Sequence, residues 1–189
     1  MQAASNLRFV APAYSAERAA LECFIAECFY HAYGAQVRNF CDHLVGLRGA
    51  QDGWRAAAGF TAAASAGLFL EQYLDAPVEA VLARASGKRV ERDWIVEVGN
   101  LAAAPGLLRE LIPALGAYLY QLGYRWVVFT ATRELHNAFR RVRLEPLELA
   151  PARAARLPDG GAAWGSYYAH APKVMGGPIA ACLPARMAA

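Results

Sequence analysis

The sequence predicts a mixed α/β sheet with helices on both faces. Three observations carry this. Two apolar, strand-like runs at 94–101 and 126–130 flank a helical stripe, which makes a strand–helix–strand unit. Upstream, residues 43–48 and 54–61 flank Gln51-Asp52-Gly53, a hairpin signal that pairs them antiparallel. With 57% hydrophobic and 19% charged residues, a chain of 189 can bury a full core, so it reads as one domain. The core is expected over about 15–170, followed by an irregular tail at 171–189.

The elements follow in order. Residues 6–10 suit a short edge strand. Ser15 caps a helix to Tyr33, with Glu17 and Glu22 early in it, Gly34 ending it, and Phe24, Cys28 and Tyr33 as its apolar face. HLVGLR (43–48) reads as a strand, and the returning strand at 54–61 is rich in alanine. LFLEQYL (68–74) is apolar with a polar centre. Pro77 starts a helix to about Ala85, and Gly87 stops it. A helix at 105–122 opens at Pro105-Gly106. Leu108, Leu111, Ile112, Leu115, Tyr118, Leu119 and Leu122 form its stripe, and Gly123 closes it. WVVFT (126–130) has the composition of a central strand. A short basic helix is expected at 134–142, a strand interrupted by Pro146 at 144–149, a loop at 151–161 and a last strand at 163–168.

Composition excludes several classes. A net charge of +3 is too modest for a nucleic-acid protein. The cysteines, Cys23, Cys28, Cys41 and Cys182, form no CxxC pair and read as free thiols. His31, His43, His136 and His170 lack metal-ligand spacing, so no metal is expected. No apolar run reaches the roughly 18 residues of a membrane span. The opening residues lack the pattern of a secretory signal, so a cytoplasmic location is expected.

Three strings resemble a known family: FLEQYLD (69–75), VEVGNLA (96–102) and WVVFTATRELHNAFRR (126–141). They look like the thermostable hemolysin family, which by similarity belongs to the GNAT superfamily of acyl-CoA N-acyltransferases, near the acyl-homoserine-lactone synthases. The resemblance spans roughly 24–179. It implies a sheet splayed between its fourth and fifth strands, with a bulge that frees backbone groups of the fourth strand for pantetheine. Leu101, Ala102, Ala103 and Gly106 would then hold acyl-CoA or acyl-4'-phosphopantetheine, with Asn137 and Arg140 on the facing helix. The sequence departs from the superfamily in two places. Only Gly106 can serve as a glycine in the phosphate loop, and Arg143 stands where a glycine precedes the last strands. The resemblance implies acyl transfer to a small amine or amino acid, with acyl carrier protein as an alternative source of the acyl group.

The chemistry needs a base for the amine. Glu97 is the first candidate, because a carboxylate in the apolar run VEV would have its pKa raised by burial. Pairing with an arginine is the alternative. Glu71, interrupting LFLEQYL, is the second candidate, as base or as partner of the acceptor's ammonium. Asn100 follows Gly99 at the expected bulge and would orient the carbonyl or support the turn. Gln72, Tyr73 and Trp94 are acceptor-pocket candidates. Arg133, Arg140, Arg141 and Arg143 form a basic cluster suited to phosphate, to an acidic carrier protein, or simply to solvent. Two other functions remain open: a membrane-lytic protein acting directly or through a lipid product, and a non-catalytic module that binds an acyl carrier or metabolite.

Overall fold

The computed structural model describes residues 8–11, 14–49, 53–65, 67–141 and 143–183. Among these, seven strands form one sheet: β1 (Arg8–Val10), β2 (His43–Arg48), β3 (Trp54–Ala62), β4 (Ile95–Ala103), β5 (Trp126–Ala131), β6 (Leu147–Pro151) and β7 (Lys173–Pro178). Their order across the sheet is β1-β2-β3-β4-β5-β7-β6. β4 and β5 run parallel, and the other neighbours are antiparallel. The α-helices are α1 (Ser15–Tyr33), α2 (Val78–Ser86), α3 (Leu108–Gln121) and α4 (Arg133–Arg141).

Strand alternation divides the core between the two faces. Val45, Ala58, Phe60, Val96, Val98 and Phe129 pack with Leu111, Ile112, Leu115 and Leu119 of α3 and Phe139 of α4. On the opposite face, Ile95, Val128 and Val174 meet Leu70, Val78 and Leu82. Beside them, Leu44, Ala57 and Ala102 meet Leu21 and Ile25 of α1. The small alanines of β3 let helices approach both faces closely. The expected stripe of α3 holds except at Leu122, which is half exposed. In α1 the fully buried residues are Leu21 and Ile25, while Phe24 and Cys28 pack beside them. Gly34 closes α1 in the left-handed region, as expected, but no side chain caps its start.

Several elements differ from the sequence reading. Residues 163–168 are not a strand. They lie in two 3-10 turns, Ala162–Trp164 and Tyr167–His170, separated by Gly165 at φ +53. A Cβ at Gly165 would lie 2.1 Å from the Tyr33 carbonyl oxygen, so this segment is pressed against the end of α1. Within the expected irregular tail, of which 184–189 lie outside the described residues, residues 173–178 instead form β7, inserted between β5 and β6. Its glycine pair reads as a breaker, yet Gly176 makes room for Leu82 of α2, whose Cδ2 lies 2.8 Å from where a Cβ would sit. The strand expected at 144–149 begins only after Pro146, as β6, while Phe69–Tyr73, to which the sequence reading gave no element, form a 3-10 turn. Finally, α3 starts at Leu108, so Pro105-Gly106 belongs to the preceding turn. Asn6, Gln51, Asp52 and Val142, named in the sequence reading, lie outside the described residues.

Candidate active site

β4 and β5 stay together only from Ile95↔Trp126 to Val98↔Phe129. Beyond that point β4 follows β3 to Ala103, while β5 follows β7 to Ala131. The sheet therefore opens between its two parallel strands. At the fork, β4 bulges: Gly59 faces Gly99 and Ala57 faces Ala102, which leaves Asn100 and Leu101 opposite Ala58. Asn100 takes φ +50, a conformation that asparagine tolerates better than most residues. Its Oδ1 accepts the Cys41 amide at 2.8 Å, which ties the segment between α1 and β2 over the bulge. Gly59 and Gly99 clear space for it. A Cβ on them would lie 2.7 Å from Cys41 Cβ and 3.1 Å from Cys41 Sγ respectively.

A cavity of about 830 Å³ fills the fork, within the usual range of small-molecule sites. It draws walls from both faces of the sheet. On the α3 side it is apolar, lined by Leu108, Ile112, Leu115, Leu119, Phe129 and Phe139. On the α1 side it is aromatic, lined by Phe29, Tyr33, Phe69, Tyr73, Trp164 and Tyr167.

Glu97 lies in the wall between these two limbs and is 7% exposed. Its carboxylate accepts the Leu70 amide, at 3.2 Å to Oε1 and 3.4 Å to Oε2. Burial raises its pKa to about 7, against the lowering effect of the Leu70 and Phe69 amides, and the charge of Glu71 adds to the rise. A carboxylate poised there can take a proton near neutral pH. Cys41, beside it, is pushed up to about 12 by burial first and by the charge of Glu97 second. It is a thiol at neutral pH.

Glu71 has a different environment. Its oxygens receive the Arg92 guanidinium at 2.8 and 2.9 Å and the amides of Leu68 and Val78 at 3.0 and 3.1 Å. The hydrogen bonds from Arg92 lead the effects that lower its pKa to about 2. A carboxylate so engaged is a poor base, and Glu71 is not in the cavity wall. What it does is join three elements. It caps the Phe69–Tyr73 turn, meets the start of α2 and holds Arg92, which also reaches Glu79.

Of the other expected site residues, Asn100, Leu101, Ala102, Ala103, Gln72 and Tyr73 line the cavity. Trp94 does not, because it stands at the opposite end of β4, in the turn Arg92–Trp94, 43% exposed. Gly106 lies in the turn before α3 with φ +84 and is also outside the wall. Asn137 and Arg140 face outward on α4, whose Leu135 and Phe139 face the cavity instead. Arg143 adopts φ +60, so the chain keeps a glycine-like turn without the glycine. The sequence reading missed two contributors to the wall: the segment around Phe40 and Cys41, and the aromatic turns around Trp164 and Tyr167. Among the described residues no group of three or more His, Cys, Asp or Glu is placed to hold a metal ion. Nor is any helix among them long and apolar enough to cross a membrane. All four cysteines are free.

The sequence pattern that defines the thermostable hemolysin family matches residues 11–183. The chain belongs to the thermostable hemolysin family. No curated protein matches it. Among solved structures, this hemolysin-family chain is similar to FeeM, an N-acyl amino acid synthase from uncultured soil microbes, with TM-score 0.63 and 13% identity over 93% of this chain and 92% of FeeM. It is also similar to the AHL synthase LasI, with TM-score 0.61 and 12% identity over 93% of this chain and 91% of LasI. A third likeness is to spermidine N-acetyltransferase from Vibrio cholerae in complex with CoA and spermine, with TM-score 0.55 and 10% identity over 93% and 97% of the two chains. These likenesses show a GNAT-like fold for this member of the hemolysin family.

Proposed function

We propose that the protein is an N-acyltransferase that moves an acyl group from a thioester to a small amine. The observation that carries this reading is the buried carboxylate of Glu97 in the wall of a two-limbed cavity at the fork between β4 and β5. The three structural neighbours, which are N-acyl amino acid, AHL and spermidine enzymes by description, support the same reaction class.

The thioester is that of acyl-CoA or of an acyl carrier protein. Its pantetheine lies along β4 past Val98, where Gly99 to Ala103 have lost β5 as a neighbour. The acyl chain occupies the apolar limb against α3, and the amine enters from the aromatic limb. Glu97 takes a proton from the ammonium. The freed nitrogen attacks the thioester carbonyl, the C–N bond forms and the C–S bond breaks. The thiolate leaves with the second proton of the nitrogen, which gives amide and thiol. No covalent enzyme intermediate is needed, in keeping with a Cys41 held as thiol. The outward arginines of α4, Arg133, Arg140 and Arg141, offer positive surface to the phosphates of CoA or to an acidic carrier protein. Both sources of acyl groups belong to the cytoplasm, where this reading places the protein.

Product mass spectrometry tests the proposal. Purified protein is incubated with acyl-CoA and acyl carrier protein thioesters of several lengths and a pool of amines and amino acids. A protein-dependent amide, lost in Glu97→Gln, is expected. The absence of any product across thioesters that bind would overturn the enzyme reading in favour of a binding module.

A further inference from the structure

The cavity wall has one sign of charge. Its acidic residues are Asp42, Glu97, Glu134 and Glu145, and among the described residues no lysine, arginine or histidine lines it. Glu97 is buried inside, while Asp42, Glu134 and Glu145 are exposed around it. The basic residues near it lie outside the wall and already have partners. Arg18 binds the carbonyl oxygens of Asp42 and Cys41 and the carboxylate of Glu22. Arg92 holds Glu71 and Glu79. His170 lies 3.9 Å from Glu134 at its Nδ1.

The second, independent observation is the aromatic limb. Phe29, Tyr33, Trp164 and Tyr167 form a continuous set, with ring centroids 5.2 Å apart for Tyr33–Tyr167 and 5.3 Å for Trp164–Tyr167. Phe69 extends it towards Tyr73, with its ring 5.9 Å from that of Trp164. Burial, and after it the hydrogen bond with Tyr168, raises the pKa of Tyr73, and the charge of Glu97 is the least of the causes. Aromatic faces attract cations and apolar bodies, and they give a carboxylate nothing to bind.

Taking the acyltransferase reading as given, we infer that the acceptor is a cationic amine without a carboxylate, such as an arylalkylamine or diamine, rather than an amino acid. An ammonium gains from Glu97, from the outer carboxylates and from the ring faces. The α-carboxylate of an amino acid would be desolvated in the same space, beside carboxylates and with no lysine, arginine or histidine among the described residues of the wall to meet it. The reaction stays balanced: the ammonium gives one proton to Glu97 and one to the departing thiolate, and the amide nitrogen ends neutral.

The test uses pairs that differ only in the carboxylate: tyramine against tyrosine, phenethylamine against phenylalanine, and cadaverine against lysine. Binding to the full-length protein is measured first by calorimetry without any thioester, so that the result does not depend on turnover. The amine of each pair is expected to bind at least about 10-fold more tightly, and Asp42→Lys is expected to narrow that gap. Equal or tighter binding of the amino acids, or no binding of either member, would overturn the inference. Turnover with the same pairs and an acyl thioester is measured second. Amine binding without any acylation would count against the acyltransferase reading and leave the acceptor site standing. Acylation of the amino acids in preference would overturn the acceptor inference and leave the acyltransferase standing.

Discussion

The amide of Leu70 donates to both carboxylate oxygens of Glu97, at 3.2 and 3.4 Å, and so ties a short 3-10 turn to the middle strand of the sheet. That contact holds the proposed base in the wall of the cavity. It also makes Glu97 a group whose protonation the fold itself senses.

Folding raises the Glu97 carboxyl from an ordinary value of 4.5 to about 7, chiefly through burial. Between those two values the folded chain binds more protons than the unfolded one. The contribution of Glu97 to stability is therefore fully present below about pH 4.5 and is lost as pH rises through about 7. Glu97→Gln removes that loss. Urea unfolding at pH 8 should show the variant more stable than the parent by on the order of 2–3 kcal/mol, with the two converging near pH 4. A variant less stable than the parent at pH 8 would contradict the burial argument.

Glu71 has the opposite sign. Its folded pKa of about 2 lies below the ordinary 4.5, so its stabilisation is present above about pH 4.5 and is lost as pH falls through about 2. Glu71→Gln should cost about 2 kcal/mol at pH 7, because it unpairs a bidentate contact to Arg92 and weakens two amide contacts. Since the charge of Glu71 raises Glu97, the variant should also move the pH dependence of activity to lower pH. A large fall in kcat with no such shift would instead mark Glu71 as a base.

At Asn100 two effects separate by substitution. Asn100→Gly keeps the positive φ but loses the bond to the Cys41 amide, at a cost of about 1 kcal/mol. Asn100→Ala loses that bond and strains the backbone, for about 2 kcal/mol in total. Both release the Cys41 segment and should raise KM for the thioester. Denaturation midpoints rank the two, and an Ala variant as stable as the Gly variant would refute the strain argument.

Ile112 of α3 lines the apolar limb and is 9% exposed. Ile112→Trp should fill that limb and shift preference from long-chain to short-chain thioesters by at least about 10-fold in kcat/KM, with KM for the amine little changed. Competition between two acyl lengths, read by product mass, reports it. An unaltered preference would place the acyl chain elsewhere.

Much of this site is legible in the sequence, and the part that is not has a physical reason. The apolar run around Glu97 marks β4, and the regular stripe from Leu111 to Leu119 marks α3, because burial on the sheet and on one helix face imposes those periods. Glu71 and Glu97 look alike as sequence, each a single acid in an apolar string. What separates them is Arg92, a contact that no local pattern encodes. The run at 163–168 reads as a last strand, yet left-handed Gly161 and Gly165 turn it into a cavity wall against α1. In KVMGGP the glycines suggest an irregular tail, but Gly176 is the space that Leu82 and Leu149 require over a paired strand.

The most direct test is kcat/KM against pH for the best thioester and amine pair, in the parent and in Glu97→Gln. The parent rate should rise through an apparent pKa of about 7 and level off above it. Glu97→Gln should lower it by at least about 100-fold and abolish the component near 7. A Glu97→Gln protein with the parent's rate and the parent's pH profile would contradict the assignment of Glu97 as the base.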